Sequence, residues 1–516
     1  MNSYKYKEQL FLHLDGIGII PTISALNEIG ILKFLTEKDS FILNDIENTF
    51  QVNKGYLNVA IRTLSCIGLF EIKDQNEKKV YIINKNKLNI INSYTKDYNL
   101  FIKLINLYVS FKNLSNDNEY LSYEQNQILE DTIQCLEKKQ TLKNSKNSTE
   151  FFLYYFIEGI IVGPILSYLG YHKKSINDIK NQKFRFYIEK IFQIANILDN
   201  NKNNTEKGKF LNDRLAAYGV TSSYLPLLSN LKSIISKNTN LVWKRDKTGN
   251  EIHVNRGMNV WGSGGAHKYY FKQIDKIIID IFNKNINEQP KGIIDIGCGD
   301  GSFLKHCFDI IKNNTKRGLT LQEHPITLIG VDINKEARIA SRRKLNSYNI
   351  NNIILNGNIS SPESLNKKLS LEYNTDLNDF LSTRTFLDHN RIYEEPKEIK
   401  EINITTSGSF CYKGKYINQS QLINNLIEHF SKWKKYVNKY GLIILELHTI
   451  NPKLTMLNRG KTLACAYDTT HGFSDQYLVE YDTFIKCAKV AKLNLQEESI
   501  LFPNKEIPTI SINHFS

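Results

Sequence analysis

The fold class this chain predicts is α/β, an open Rossmann-like sheet, and three strand ends predict it. The first is Gly292-Ile-Ile-Asp-Ile-Gly-Cys-Gly-Asp-Gly-Ser302, a short apolar strand running straight into a glycine turn, with Ser302 placed to cap the next helix. The second strand, Ile326 to Ile333, ends in Asp332, and the third, Asn352 onward, ends at Asn358. Glycines at 297, 299 and 301 let backbone approach a ligand with no Cβ in the way.

A glycine turn after a first strand also serves dinucleotides and phosphates. Here the turn carries two acids, Asp295 and Asp300, which suit the amino group and sulfonium of S-adenosylmethionine better than a pyrophosphate. Asp332 is placed to accept both ribose hydroxyls, and Asn358 to reach the adenine edge. These strand ends, in this order, resemble the class I methyltransferases. Upstream, Arg256-Gly-Met-Asn-Val-Trp-Gly-Ser-Gly-Gly-Ala-His267 reads as a glycine loop ahead of a helix from Tyr269 to Phe282. Such a loop is entropically expensive to order and usually serves a ligand, so Ser263 and Gly264 join the cofactor-binding set.

Across 516 residues, 41% hydrophobic and 23% charged content is ordinary for a globular chain of two or three domains. The formal charge of +14 comes from Lys dispersed among Asn and Ile, which leaves nucleic acid, a membrane surface and an acidic carrier protein open as partners. Seven cysteines without paired spacing fit a reducing cytoplasm. No apolar export core follows Met1. The most apolar run, Phe151 to Tyr171, is interrupted by Glu158 and Pro164 and reads as a buried helix in preference to a membrane span.

Residues 1–90 follow a winged-helix order: helices at Ser24–Phe34, Asn44–Phe50 and Leu57–Ile67, then a hairpin with a polar tip at Asp74 to Lys79. The DNA-binding version of this fold would send its third helix into the major groove, but that helix offers only Lys54 and Arg62. A dimerisation domain, as in small-molecule O-methyltransferases, fits better. Residues 91–210 alternate apolar helical runs with polar joints at 115–119 and 143–149, and read as a helical insertion or lid. The catalytic core takes 211–516.

Two more strands complete the site. Leu377–Ser382 leads into Thr383-Arg-Thr-Phe-Leu-Asp-His-Asn-Arg391, and Gly441–His448 follows a helix through Leu422 to Tyr436. Ligands of open α/β sheets lie beyond the carboxyl ends of the strands, so Arg384, Asp388, His389, Glu446 and His448 gather there. Tyr467 to Glu480 adds His471, Asp475 and Gln476. O-methylation needs little more than one His as base, so the surplus of imidazole and carboxylate suggests a single iron, manganese or cobalt ion. Such an ion would stabilise an enolate as a Lewis acid, which favours methylation at carbon.

Asn259–His267, Asp295–Gly301, Arg384–His389 and His471–Gln476 together resemble a family of metal-dependent C-methyltransferases. It includes the apratoxin-type loading-module enzymes of polyketide synthases and the 2-ketoarginine methyltransferases. The resemblance implies methyl transfer to a carbon alpha to a carbonyl, on a carrier-bound thioester such as malonyl or on a free 2-oxo acid. It implies Asp388 and His389 as metal ligands, completed by His448, His471 or Gln476, and Arg384 or Arg391 as holder of a carboxylate or phosphopantetheine arm. An acidic acyl carrier protein acting in trans, a small acyl substrate and a homodimer through the N-terminal domain are the partners expected. A metal-free O-methyltransferase and a DNA-binding regulator that senses S-adenosylmethionine are the competing classes.

Overall fold

The computed structural model describes residues 2–75, 78–116, 120–236, 238–247 and 249–516. The expected hairpin tip at 74–79 and the joint at 115–119 fall partly outside these, at 76–77 and 117–119. The chain forms two compact units. One comprises Met1–Ala266, Ser409–Ile417 and Asn451–Asp475; the other comprises His267–Gly408, Asn418–Ile450 and Gln476–Ser516. This division differs from breaks at 90 and 210, because two late segments return to the first unit, and the sequence carries no composition shift that marks such returns.

The first unit is built on two long helices, Asn2–Ile29 and Ser148–Tyr171. Both are long and apolar enough to cross a membrane, yet 94% of each apolar window is buried inside the protein. They cross closely because Gly16 lies against the Phe156 backbone and Gly159 against that of His13, where any Cβ would collide. At the crossing a buried network satisfies its own polar atoms. His13 pairs through Nε2 with Glu158 (2.9 Å) and through Nδ1 with the Tyr218 hydroxyl (2.7 Å), and Lys207 closes an ion pair on Glu158.

The helix–helix–hairpin order stands at residues 40–83: helices Leu43–Phe50 and Lys54–Cys66 precede the hairpin Phe70–Gln75 and Lys78–Ile83, which Ser40–Phe41 joins as a third strand. The helix that would read DNA is buried from Gly55 through Cys66. Arg62 is 3% exposed and bonded to Asp468 (3.1 Å), so it is not offered to a phosphate.

Residues 256–267 differ from expectation. They form the start of a continuous helix, Arg256–Phe282, whose Met258 N–H donates to Asn255 Oδ1 (3.1 Å). Its glycine at 262 serves packing: an added Cβ would stand 2.7 Å from Gly219 Cα. Repeated glycine lowers helix propensity and so points to a loop, and helix-on-helix approach outweighs that here.

The second unit contains a seven-stranded sheet. Its strands are β1 (Gly292–Ile296), β2 (Thr327–Val331), β3 (Asn352–Leu355), β4 (Leu381–Thr385), β5 (Leu442–Leu447), β6 (Ile500–Phe502) and β7 (Ile510–Phe515). They lie in the order β6-β7-β5-β4-β1-β2-β3, and β7 alone runs antiparallel to its neighbours. This is the class I methyltransferase topology. The central strands are buried on both faces, as parallel strands between helices must be, and β4 carries the polar run Ser382-Thr383-Arg384 into that interior. β4 starts four residues later than expected, since Leu377–Asp379 is a turn capped by Asp376, whose Oδ1 accepts the Asn378 N–H (2.8 Å).

Candidate functional site

The strand order reverses between β1 and β4, which opens a crevice at the carboxyl ends of these two strands. The loop after β1 turns on three left-handed glycines, Gly297 (φ 80°), Gly299 (φ 53°) and Gly301 (φ 78°). A Cβ at Gly297 would stand 2.9 Å from Leu387, and one at Gly301 2.7 Å from Ser341 Oγ, whereas none is met at Gly299. The loop is anchored to β2 by Gly297 and Cys298 N–H groups donating to Val331 O, and by Gly299 N–H donating to Asp332 Oδ2 (3.0 Å).

Asp295 is fully buried. Its Oδ1 accepts the Thr383 hydroxyl (2.9 Å), while Oδ2 has no protein partner. Burial pushes its carboxyl up to about 8, reinforced by Asp332 and opposed by the Thr383 bond. An orphaned buried carboxylate oxygen beside an open glycine cradle fits a ligand that brings donors, as the cofactor's ammonium does. Asp332 is partly exposed at the end of β2, and Asn358 forms a turn with the Ser360 N–H (2.9 Å) beyond β3. Asp295, Gly297, Gly299, Gly301, Asp332 and Asn358 therefore fit S-adenosylmethionine.

Of the other three expected cofactor residues, Asp300 lies within the glycine turn and two lie in the first unit. Gly301 is the N-cap of the following helix and Ser302, expected to cap it, is its first residue, while Asp300 accepts the Ser302 N–H (3.0 Å) and hydroxyl (2.9 Å) and pairs with Lys344. Burial works against its ionisation, but the Lys344 and Ser302 bonds hold it below the usual carboxylate range. Ser263 and Gly264 belong to the first unit; Ser263 Oγ donates to Val260 O (3.2 Å) on its own helix.

The residues after β4 divide into two clusters. His389 and Glu446, at the ends of β4 and β5, form one. Glu446 Oε1 lies 2.5 Å from His389 Nδ1 and accepts the Leu447 N–H (2.7 Å), while Oε2 accepts the His389 N–H (3.1 Å). The carboxylate thereby fixes both the ring's tautomer and its backbone, the orienting arrangement of a general base.

Arg384, Asp388, His429 and Arg391 form the other. Asp388 Oδ1 accepts Arg384 (2.6 Å) and pairs with His429 Nε2 (2.8 Å), and Arg384 lies 4.1 Å from the Trp433 ring centroid. Burial acts against the Asp388 charge, but Arg384 and His429 hold it down to about 2. Arg384 is fully buried here, so the structure makes it the counter-ion of Asp388 where the sequence suggested a grip on substrate. Arg391 Nη1 donates to Asp388 O (2.8 Å) and Nε to Asn425 Oδ1 (2.8 Å).

Several of the five expected metal donors already have partners within the protein. His448 has both ring nitrogens engaged, Nδ1 with Val479 O (3.2 Å) and Nε2 with Ser511 Oγ (2.6 Å), and burial depresses it to about 3. His471 belongs to the first unit, where its Nδ1 donates to Tyr467 O (2.8 Å), and Gln476 is buried in the second. Asp388 and His389 each face a different partner. Among the described residues no three His, Cys, Asp or Glu side chains are arranged as ligands. The sequence reading also missed His429. It stands on the apolar stripe of helix Gln419–Val437, in line with Leu422, Leu426 and Trp433, and an imidazole on a buried stripe was the available signal.

Three family models match the chain. The AprA N-terminal domain matches residues 6–72, the AprA winged helix domain 158–238, and the AprA MT2-like domain 251–513, just over half of the chain. The winged-helix match lies mostly within the stretch read as a helical insertion, and the helix–helix–hairpin at 40–83 falls largely under the N-terminal domain. Among solved structures, mitomycin 7-O-methyltransferase is 7% identical, covering 96% of this chain and 93% of its own at a TM-score of 0.31. Human N-acetylserotonin methyltransferase is 11% identical over 72% and 99%, at 0.34. An O-methyltransferase family 2 protein from Planctomyces limnophilus is 9% identical over 99% and 96%, at 0.38. No curated protein matches. With the topology, the glycine cradle and the match across the core in agreement, this chain belongs to the AprA MT2-like domain family and is an S-adenosylmethionine-dependent methyltransferase.

Proposed function

We propose that this enzyme methylates carbon, at the position alpha to the carbonyl of an acyl thioester held on an acidic acyl carrier protein in trans, within polyketide or related secondary metabolism. The observation that carries the reading is the His389–Glu446 pair at the ends of β4 and β5, 2.5 Å apart and buried. Family membership supports the carrier-bound substrate, and the +14 charge supports an acidic protein partner. All seven cysteines are buried free thiols, which suits the reducing cytoplasm expected for such an enzyme.

S-adenosylmethionine supplies an electrophilic methyl group. With Nδ1–H donating to Glu446, His389 Nε2 is the ring nitrogen that takes the alpha proton, and Glu446 stabilises the imidazolium that results. The alpha carbon then bonds to the methyl carbon, and the electron pair of the broken bond stays on sulfur. This transfer uses His389 and Glu446; His448 is engaged by Val479 and Ser511, and Asp388 pairs through Oδ1 with Arg384 and His429 while its Oδ2 has no hydrogen-bond partner among the described residues.

The test is intact-mass analysis of carrier protein loaded with alpha-deuterated malonyl thioester. Carbon methylation puts one methyl group in place of a lost deuterium. Transfer with all deuterium retained would mean oxygen methylation and would overturn the proposal. Activity confined to free 2-oxo acids would keep the chemistry and replace the carrier.

A further inference from the structure

Phe386 is the first residue beyond β4 and has φ 54°, a left-handed conformation that bulky side chains rarely adopt. Its N–H donates to Leu445 O (2.7 Å), which carries the β4–β5 ladder one residue past the strand while the side chain turns aside. Backbone held in a disfavoured region at the carboxyl end of a central strand points to a ligand. The turned ring stacks on His267 with centroids 5.2 Å apart and planes at 18°, and Tyr270 meets it edge-on at 6.1 Å. Tyr270 in turn packs on Phe502, 5.1 Å away.

This aromatic group borders the glycine cradle. Leu387, next in the chain, is the side chain that a Cβ at Gly297 would strike. Phe386, His267 and Tyr270 are none of them fully buried, so each keeps some accessible surface. Burial depresses His267 to about 4 despite the opposing charge of Asp300, and the ring therefore adds no positive charge near neutral pH.

A neutral aromatic wall beside a cofactor that is a cation before transfer and a neutral thioether after it has a defined physical consequence. The ring quadrupole attracts the sulfonium and has no comparable interaction with the thioether. We propose that the Phe386–His267 ring pair distinguishes the charge states of the cofactor, favouring the methyl-bearing sulfonium and relaxing its hold once the methyl has left. This rests on the S-adenosylmethionine reading of the cradle.

Calorimetric titration of the full chain with S-adenosylmethionine and, separately, S-adenosylhomocysteine tests it. In Phe386→Leu the preference for sulfonium over thioether should fall about three- to tenfold relative to the unaltered protein, the range expected for one ring face. Phe386→Tyr, which keeps the face, should preserve the preference. Phe386→Asn removes the ring with a residue that tolerates left-handed backbone, and serves if the leucine variant does not fold. Equal loss of affinity for both nucleotides in the leucine or asparagine variant, or no change for either, would overturn the proposal. An unaltered protein that binds neither nucleotide would instead sink the cofactor reading itself.

Discussion

Replacing Glu446 by Gln tests the proposed base most directly. The carboxylate accepts three bonds, from His389 Nδ1 (2.5 Å), Leu447 N–H (2.7 Å) and His389 N–H (3.1 Å). An amide keeping its carbonyl toward Nδ1 and Leu447 must turn its NH2 toward the His389 N–H, donor against donor. Leaving that buried group unsatisfied costs about 1–3 kcal/mol of stability. A charge-assisted bond is about twice as strong as a neutral one, so the imidazolium loses roughly 1–2 kcal/mol of support. That corresponds to a fall in kcat of about 5- to 30-fold. His389→Ala removes the base and should lower kcat by about 100-fold or more. Single-turnover transfer to malonyl-loaded carrier protein, followed by intact mass, reads the rate, and calorimetry should find S-adenosylmethionine affinity unchanged in both variants. A folded Glu446→Gln enzyme within twofold of the original rate would refute the assignment.

Other outcomes follow from the same structure. Asp388→Asn leaves the buried Arg384 guanidinium without its counter-ion and should destabilise the protein by about 3–5 kcal/mol in urea unfolding, more than Glu446→Gln does. Gly297→Ala, strained at φ 80° and pressed on Leu387, should abolish cofactor binding by calorimetry while the far-UV spectrum stays native. His448 is depressed to about 3 and His253 and His429 to about 4, chiefly by burial, so the unfolded chain binds their protons first. Their stabilising contribution is complete above the unfolded value near 6.5 and is lost as pH falls toward 4, with a penalty of about 2 kcal/mol per histidine at pH 4.5. The urea midpoint should drop between pH 7 and 4.5, and His448→Gln should flatten that slope. Added iron, manganese or cobalt salts should leave the melting temperature unchanged; a rise of several degrees would restore the metal reading.

The sequence by itself determined the sheet and the cofactor cradle. An apolar run ending in Asp295 and followed by Gly297, Gly299 and Gly301 carries its own local instructions, and Asp332 and Asn358 sit at strand ends that periodicity locates. Only the tertiary structure decided how the polar side chains pair. Asp388 and His389 are neighbours in sequence, yet one turns to Arg384 and His429 and the other to Glu446, a choice set by which helix and strand pack on either side of the β4 exit. His448 is held by Ser511, 63 positions away on the antiparallel β7, a partner that spacing does not reveal. Glycines 262 and 301 look alike in sequence, but one permits two helices to touch and the other supplies a left-handed turn. Local backbone preference is written over a few residues and can be read there. Which donor meets which acceptor depends on side chains brought together from distant strands, and that information exists only once the chain is folded.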